Sequence, residues 1–420
     1  MSEEFRSKVA QAIARVEALP EPERRAIFTE FTPARIRSDA EALIARRDAG
    51  EDMPLFGTLV SVKDLFDEAG QVTSAGSRLL AGRDPAREDC EPVRRLKTAG
   101  ALMFGRSSMS EFAYSGVGLN PHHGTPSSAL VPGAIPGGSS SGAAVCIGLG
   151  ITDAAIGTDT GGSLRVPAAA NGIWGYKPSH GLLDARGVHP LSPSYDDPGP
   201  MARDLGLLHL MTEVMAGRTL PAAPERPLRL AVPDGAFTDK LAPEVSALFE
   251  AEQARIASAG HRLDPVDMTE IGAAIILNRT IVAAEALEIY AGDLERLEEV
   301  GDPRVLSRIR FAETLSSEEI AEAYAERARI VALFERKMEG FDALLAPVLM
   351  RLPPTIAEVE DQFDRLNVAM LRNTSLINLV DGCAIAMPSP GLAPPYSMTM
   401  LAGVHGADAA ILAAARQLSG

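Results

Sequence analysis

Residues 136–165 read PGGSSSGAAVCIGLGITDAAIGTDTGGSLR, and the rest of the chain takes its meaning from them. Two glycine-framed serine turns, Gly137-Gly138-Ser139-Ser140-Ser141-Gly142 and Gly157-Thr158-Asp159-Thr160-Gly161-Gly162-Ser163, are joined by a run of small apolar residues. That run must be buried. Residues 143–150 predict a helix that starts on the first turn, and 151–156 predict a strand that delivers the second. Glycine costs conformational entropy on folding, so this density marks backbone that takes positive φ or approaches another group closely.

Outward from this stretch the strand–helix–strand texture recurs. Upstream, 59–63 predicts a buried strand ending on Lys63, 91–99 a helix and 101–104 the next strand. Downstream come a short helix at 165–170, an extended piece at 173–178, a proline-rich loop at 190–200, a strand at 228–231 and a helix at 243–259. Residues 270–340 predict a mainly helical excursion, 342–347 a buried strand, 361–380 a helix interrupted at Arg372-Asn373-Thr374, and 409–418 a closing helix. At the other end, Phe5, Val9, Ile13, Val16 and Leu19 recur at helical steps, Pro20 and Pro22 break the pattern, and a second helix spans 33–47. This rhythm predicts the α/β class. We expect a helical arm over 1–50 and one α/β domain over 51–420 that contains the helical excursion.

Composition narrows the partners. The 420 residues carry 56 acidic against 40 basic side chains, a formal net charge of -16, which argues against nucleic acid and anionic membrane surfaces. Cys90, Cys146 and Cys383 are odd in number, far apart and without C-x-x-C or histidine ligand spacing. They fit a reducing, cytoplasmic setting and neither a disulfide framework nor a zinc site. The acidic start, Met1-Ser2-Glu3-Glu4, has no apolar leader core, and no apolar run approaches the roughly 18 residues of a membrane span. We expect no nucleic-acid and no membrane partner; a homodimer is left open.

Each candidate residue has a plainer alternative. Gly161-Gly162-Ser163 reads either as a capped turn or as a serine hydroxyl beside successive backbone N–H groups, from Thr160 to Ser163, that gather an oxyanion. Gly138-Ser139-Ser140-Ser141-Gly142 matches the G-x-S-x-G nucleophile elbow, which selects Ser140. Lys63 either snorkels to water or, if buried, loses its proton toward working pH and serves as a general base. Asp159 and Arg165 read as surface turn residues or as an ion pair that braces the second turn. His122-His123 lacks ligand spacing, and Trp174 reads as a packing residue.

These residues carry a resemblance to the amidase signature family. The matching run extends from Gly137 through Gly157-Thr158-Asp159-Thr160-Gly161-Gly162-Ser163-Leu164-Arg165-Val166-Pro167 to Gly175-Tyr176-Lys177-Pro178. Val60-Ser61-Val62-Lys63-Asp64, Ser110-Glu111-Phe112-Ala113 and Asp197-Pro198-Gly199-Pro200 also fit. Similarity is continuous over about residues 55 to 205. It departs at Ala143, Asn171 and Pro198.

The resemblance implies a large mixed β-sheet core covered by helices on both faces, and a Ser–cis-Ser–Lys triad. By motif position the nucleophile is Ser163, the bridging serine Ser139, after a cis Gly138–Ser139 peptide, and the base Lys63. Backbone N–H groups of Thr160, Gly161, Gly162 and Ser163 form the implied oxyanion hole, with Gly138, Asp159 and Arg165 as support. Met109, Tyr114 and Tyr195 are candidates for the substrate pocket. The implied activity is hydrolysis of a small-molecule carboxamide through an acyl-serine, with no cofactor and no metal. The alternative is the amidase subunit of a glutamine-dependent aminoacyl-tRNA amidotransferase. Against it, such subunits commonly show Gly-Ser-Asp and Ile-Arg-Gln-Pro, where this chain has Gly157-Thr158-Asp159 and Leu164-Arg165-Val166-Pro167.

Overall fold

A computed structural model describes residues 2–221, 226–389 and 392–419; the outermost bounds of the expected arm and domain, Met1 and Gly420, lie outside them. Eleven strands form one mixed sheet. In chain order they are β1 (Phe28–Glu30), β2 (Leu59–Lys63), β3 (Leu102–Ser107), β4 (Ala154–Asp159), β5 (Trp174–Lys177), β6 (Asp197–Ala202), β7 (Arg229–Asp234), β8 (Arg262–Asp267), β9 (Ala343–Pro347), β10 (Cys383–Met387) and β11 (Thr399–Gly403). Their order across the sheet is β1-β3-β2-β4-β6-β5-β10-β11-β9-β7-β8.

The central strands are buried on both faces. Along β4, Ala154 and Ile156 join one apolar cluster while Ala155 joins another; along β10, Cys383, Ile385 and Met387 separate in the same way from Ala384 and Ala386. This is the period-two alternation of a pleated strand covered above and below. Each fully buried Leu, Ile or Val contributes about 1.5–3 kcal/mol. The N-terminal helices Ser2–Glu17 and Pro33–Asp48 bring Phe5, Val9, Ile13, Ile36 and Ile44 into a third cluster, with Leu102 and Phe104 of β3 and Cys146. No helix among the described residues is long and apolar enough to cross a membrane.

β2 is parallel to both β3 and β4. Lys63 and Asp159, the last residues of β2 and β4, therefore emerge at the same edge of the sheet. The first serine turn reaches that edge from the buried helix Ser141–Gly148, which packs on β2, β3 and β4.

Several local expectations need correction. The strand expected at 151–156 begins three residues later, at Ala154, because a uniformly apolar run carries no phase. The loop expected over 190–200 ends as the buried central strand β6, despite Pro198 and Pro200. Proline cannot donate to a ladder, but β5 pairs with β6 only at Met201 and Ala202, beyond both prolines. The break expected at Pro20 and Pro22 contains a helix, Glu21–Ile27, with proline in its first turn, where no backbone donor is needed. The helix Phe363–Leu379 runs through Arg372-Asn373-Thr374 without interruption. Asn373 is tolerated there because its amide donates to the carbonyls of Phe237 and Pro347, at 3.0 and 2.9 Å. β1, which lies within the arm expected to be helical and pairs with β3, and β8, β10 and β11 had no counterpart among the expected strands.

Candidate active site

Lys63 is fully buried. Its Nζ lies 2.8 Å from Ser139 Oγ and 2.9 Å from Thr158 Oγ1, so both immediate partners are hydroxyls. Burial lowers its pKa from 10.5 to about 7, against the opposing fields of Asp196 and Asp159. The adjacent Asp64 is itself buried and receives Arg106 Nε at 2.9 Å, which fixes the end of β2 beneath the lysine.

Ser139 follows a cis peptide from Gly138. Its turn is enclosed by residues 110–118: Ser110 N–H donates to Ser139 O at 3.1 Å, and Gly138 N–H to Gly116 O at 2.9 Å. A Cβ on Gly138 would come 2.5 Å from the Gly118 nitrogen, so the close approach excludes every other residue. Ser140 has a different setting. Its hydroxyl is buried without a hydrogen-bond partner among the described residues, against Gly157 of β4.

The second turn is clamped from two directions. Asp159 receives Arg165 Nε at 3.0 Å and a second guanidinium nitrogen at 2.8 Å, with both side chains fully buried. Burial alone would raise the Asp159 pKa, but Arg165 together with Lys177 and Asn378 outweighs it and the carboxyl titrates at about 2. Asn378 completes the cluster, accepting from Arg165 at 2.7 Å and donating to Asp159 at 2.9 Å. On the other side, the hydroxyls of Thr374 and Ser375 donate to the Gly161 carbonyl at 2.7 and 2.9 Å. In a trans peptide C=O and N–H point in opposite directions, so anchoring this carbonyl on the helix turns the Gly162 N–H away from it. Among the described residues, none of the N–H groups of Thr160, Gly161, Gly162 and Ser163 donates to a protein acceptor, and the Ser163 hydroxyl has no protein partner. Ser163 itself is only 3% exposed.

Gly162 sits at φ 138°, and a Cβ there would run into the Thr374 hydroxyl. Gly162→Ala is therefore expected to displace the turn, at a cost of about 1–3 kcal/mol in backbone strain, and to lower kcat by at least about tenfold. Steady-state kinetics beside urea unfolding checks both; unchanged kcat would remove the turn from the chemistry.

Of the expected pocket residues, Met109 is fully buried in an apolar cluster, its carbonyl accepting from Asn120 at 2.7 Å. Tyr195 is also buried, with an unpartnered hydroxyl and the Arg327 guanidinium 3.9 Å above its ring. Tyr114 is half-buried, and its carbonyl receives Arg308 at 2.6 Å. Arg308 also lies 5.6 Å from the Tyr114 ring and 5.0 Å from the Phe363 ring, while Arg279 covers Phe311 at 3.7 Å. Neither arginine has a carboxylate partner among the described residues. Both fields oppose the burial that pushes the Tyr114 pKa up to about 12. This corner adjoins the serine turns: Leu371 packs against Gly116 and approaches Gly161, and Asn278 donates to Ser375 O at 2.8 Å. A separate surface cleft of 440 Å³ along Asp67, Thr73, Arg83 and His189 contains none of the triad residues. No group of three or more His, Cys, Asp or Glu side chains among the described residues converges as a metal-ligand set.

Thr158, Thr374, Ser375, Asn378 and Asp196 were absent from the sequence-based site. The available signal was the presence of polar residues, among them Thr374, Ser375 and Asn378, in a helix otherwise buried through Leu376, Ile377 and Leu379.

A family model described as Amidase matches residues 9–395. The chain belongs to the amidase signature family. It is a hydrolase acting on C–N bonds. A 2-amino-5-chloromuconic acid deaminase from Comamonas testosteroni is 36% identical over 86% of this chain and 80% of its own length. One glutamyl-tRNA(Gln) amidotransferase subunit, from a Synechococcus strain, is 31% identical over 94% of this chain and 89% of its own. Among solved structures, an amidase superposes with a TM-score of 0.91 at 29% identity, covering 99% of this chain and 95% of the other. The α/β fold and the family expected from residues 136–165 are thus borne out.

Proposed function

We propose that this amidase hydrolyses a small-molecule carboxamide that also carries a carboxylate, through an acyl-Ser163 intermediate. The observation that carries the reading is the buried Lys63 amine on the Ser139 hydroxyl, beside a turn whose N–H groups are free to donate. Ser163 attacks the carbonyl carbon, its proton passing to Ser139 while the Ser139 proton passes to Lys63. Backbone N–H groups from Thr160 to Ser163 stabilise the oxyanion, a contribution of a few kcal/mol per donor in comparable sites. The proton returns to the nitrogen as the C–N bond breaks, and water then hydrolyses the ester by the same relay. Lys63 must be neutral to accept, so activity rises with pH through about 7. The three cysteines are free and buried, which supports a cytoplasmic location.

Arg308 and Arg279 support the substrate class. Cations without acid partners among the described residues, at the corner formed by Tyr114 and Leu371, complement a carboxylate a few bonds from the scissile amide. The similar Comamonas protein is named for an acid. Matched primary amides with and without a terminal carboxylate, scored by ammonia release, test this reading. We expect the acids to be preferred by at least about tenfold in kcat/KM, and Arg308→Leu to erase the preference mainly through KM. Equal turnover of neutral amides would sink it. Similarity to an amidotransferase component over nearly the whole chain favours a second reading, with glutamine as the carboxylate-bearing amide. Glutaminase activity that appears only with a tRNA-binding partner would establish it.

A further inference from the structure

Three aspartates gather around the two strand ends, and one of them has no cation among the described residues. Asp159 is paired with Arg165, and Asp197 lies 2.6 Å from Lys177 and 2.9 Å from His180. Asp196 forms no ion pair among the described residues. Its position follows from the ladder: β4 and β6 pair Asp159 with Asp197, so Thr160 stands opposite Asp196 one step beyond. Asp196 Oδ1 accepts the Thr160 hydroxyl at 2.5 Å, and Oδ2 accepts the N–H groups of Leu191 and Ser192 at 2.8 and 2.9 Å. Glu285 holds the same loop from outside, accepting from the Ser192 hydroxyl at 2.5 Å and the Ser194 N–H at 3.1 Å.

We propose that Asp196 is the counter-charge of the relay, a positioning residue whose carboxylate stabilises the Lys63 ammonium formed during attack and, through Thr160, holds the N–H-bearing turn. This rests on the Ser163–Ser139–Lys63 reading above. As the Ser163 Oγ–C bond forms, one proton moves to Ser139 and another from Ser139 to Lys63. A negative oxygen and a positive nitrogen thus appear together in a buried site. Both charges disappear when the C–N bond breaks and the leaving nitrogen takes the proton; Asp196 takes none. The hydroxyls of Ser139 and Thr158 offer Lys63 dipoles, whereas a buried cation is stabilised far more by a nearby charge. Asp196 and Asp159 both raise the proton affinity of Lys63, but the charge of Asp159 is offset by Arg165. The other charged or titratable groups around Asp196 are Asp197, already paired, Glu285, Tyr290 and Arg327 on Tyr195. Burial raises the Asp196 carboxyl to about 6, despite the donors from Thr160, Ser192 and Leu191, so it is ionised where Lys63 loses its proton.

The test uses a fluorophosphonate as probe, with its inactivation rate at Ser163 followed from about pH 5.5 to about pH 9.5. In Asp196→Asn the alkaline plateau should slow by about tenfold, the scale of a lost charge-assisted contact. Its acid limb should move to lower pH, because removing the negative charge lowers the proton affinity of Lys63. Thr160→Val should slow the plateau and move the limb less than Asp196→Asn does, because the carboxyl loses a donor that favours its ionised form but is still charged at alkaline pH. An Asp196→Asn limb at the wild-type pH overturns the proposal, as does a Thr160→Val plateau at the wild-type rate or a Thr160→Val limb that moves to higher pH; if Asp196→Asn does not fold, the Thr160→Val profile decides. Labelling of wild-type Ser163 with an unmoved limb removes the counter-charge and leaves the nucleophile. No labelling of Ser163 removes both.

Discussion

Lys63→Met is expected to lower kcat by at least about a thousandfold while making the fold more resistant to urea at pH 7. The first effect follows from losing the proton acceptor of the relay. The second follows from burial: Lys63 titrates at about 7 folded, against 10.5 for an unperturbed lysine, so the unfolded chain binds the extra proton between those values. Stability rises with pH wherever the unfolded state binds more protons, so the cost of burying this lysine is greatest at and below about pH 7 and has vanished above about pH 10.5. Wild-type stability should rise as pH increases from about 7 toward 10.5, and the advantage of Lys63→Met should shrink by on the order of 1.4 kcal/mol per pH unit across that window. Methionine also leaves the Ser139 and Thr158 hydroxyls without the amine. That loss does not depend on pH, so it sets the offset between the two curves and leaves their slopes alone. Urea unfolding of both proteins at several pH values reads the slope directly. Parallel curves would mean that Lys63 is not held neutral by burial, and the base assignment would fall with it.

The parts of this site that were legible in the sequence are those whose chemistry is local. Glycine at 137, 138 and 162 announces backbone that no other residue tolerates, and the apolar run between the turns announces burial. β2 ended at Lys63 as read, because Leu59-Val60-Ser61-Val62 is a short apolar stretch with a clear stop. The illegible parts depend on pairing between distant segments. Thr158 meets Lys63, 95 residues away, only because β2 and β4 are neighbours. Thr160 meets Asp196 only because β4 and β6 pair antiparallel. Arg308 reaches the carbonyl of Tyr114 across 194 residues, and nothing local distinguishes it from a surface arginine. β6 was hidden for a different reason: prolines signal a loop unless the missing partner strand is known. Arg372-Asn373-Thr374 reads as a helix interruption, whereas the Thr374 side chain, with those of Ser375 and Asn378, holds the second turn.

Ser163→Ala should abolish turnover, by at least about ten-thousandfold, and with it fluorophosphonate labelling, whereas Ser140→Ala should keep both within about threefold. A short pattern alone ranks these serines the other way, since Ser140 occupies the centre of the G-x-S-x-G match. The environments decide between them. Ser163 follows Gly162, whose N–H is turned away from the helix by the anchored Gly161 carbonyl, and its own hydroxyl has no protein partner among the described residues. Ser140 is sealed beneath Gly157 with an unpartnered hydroxyl, too enclosed to meet a substrate. Removing that hydroxyl relieves a buried unsatisfied group, so Ser140→Ala should unfold at the same or a higher urea concentration than the wild type. Activity, labelling and stability thus give each serine a distinct signature. Labelling that survives in Ser163→Ala and vanishes in Ser140→Ala would transfer the nucleophile to the first turn, and a lysine bonded to Ser139 would then have no proton to receive from Ser163.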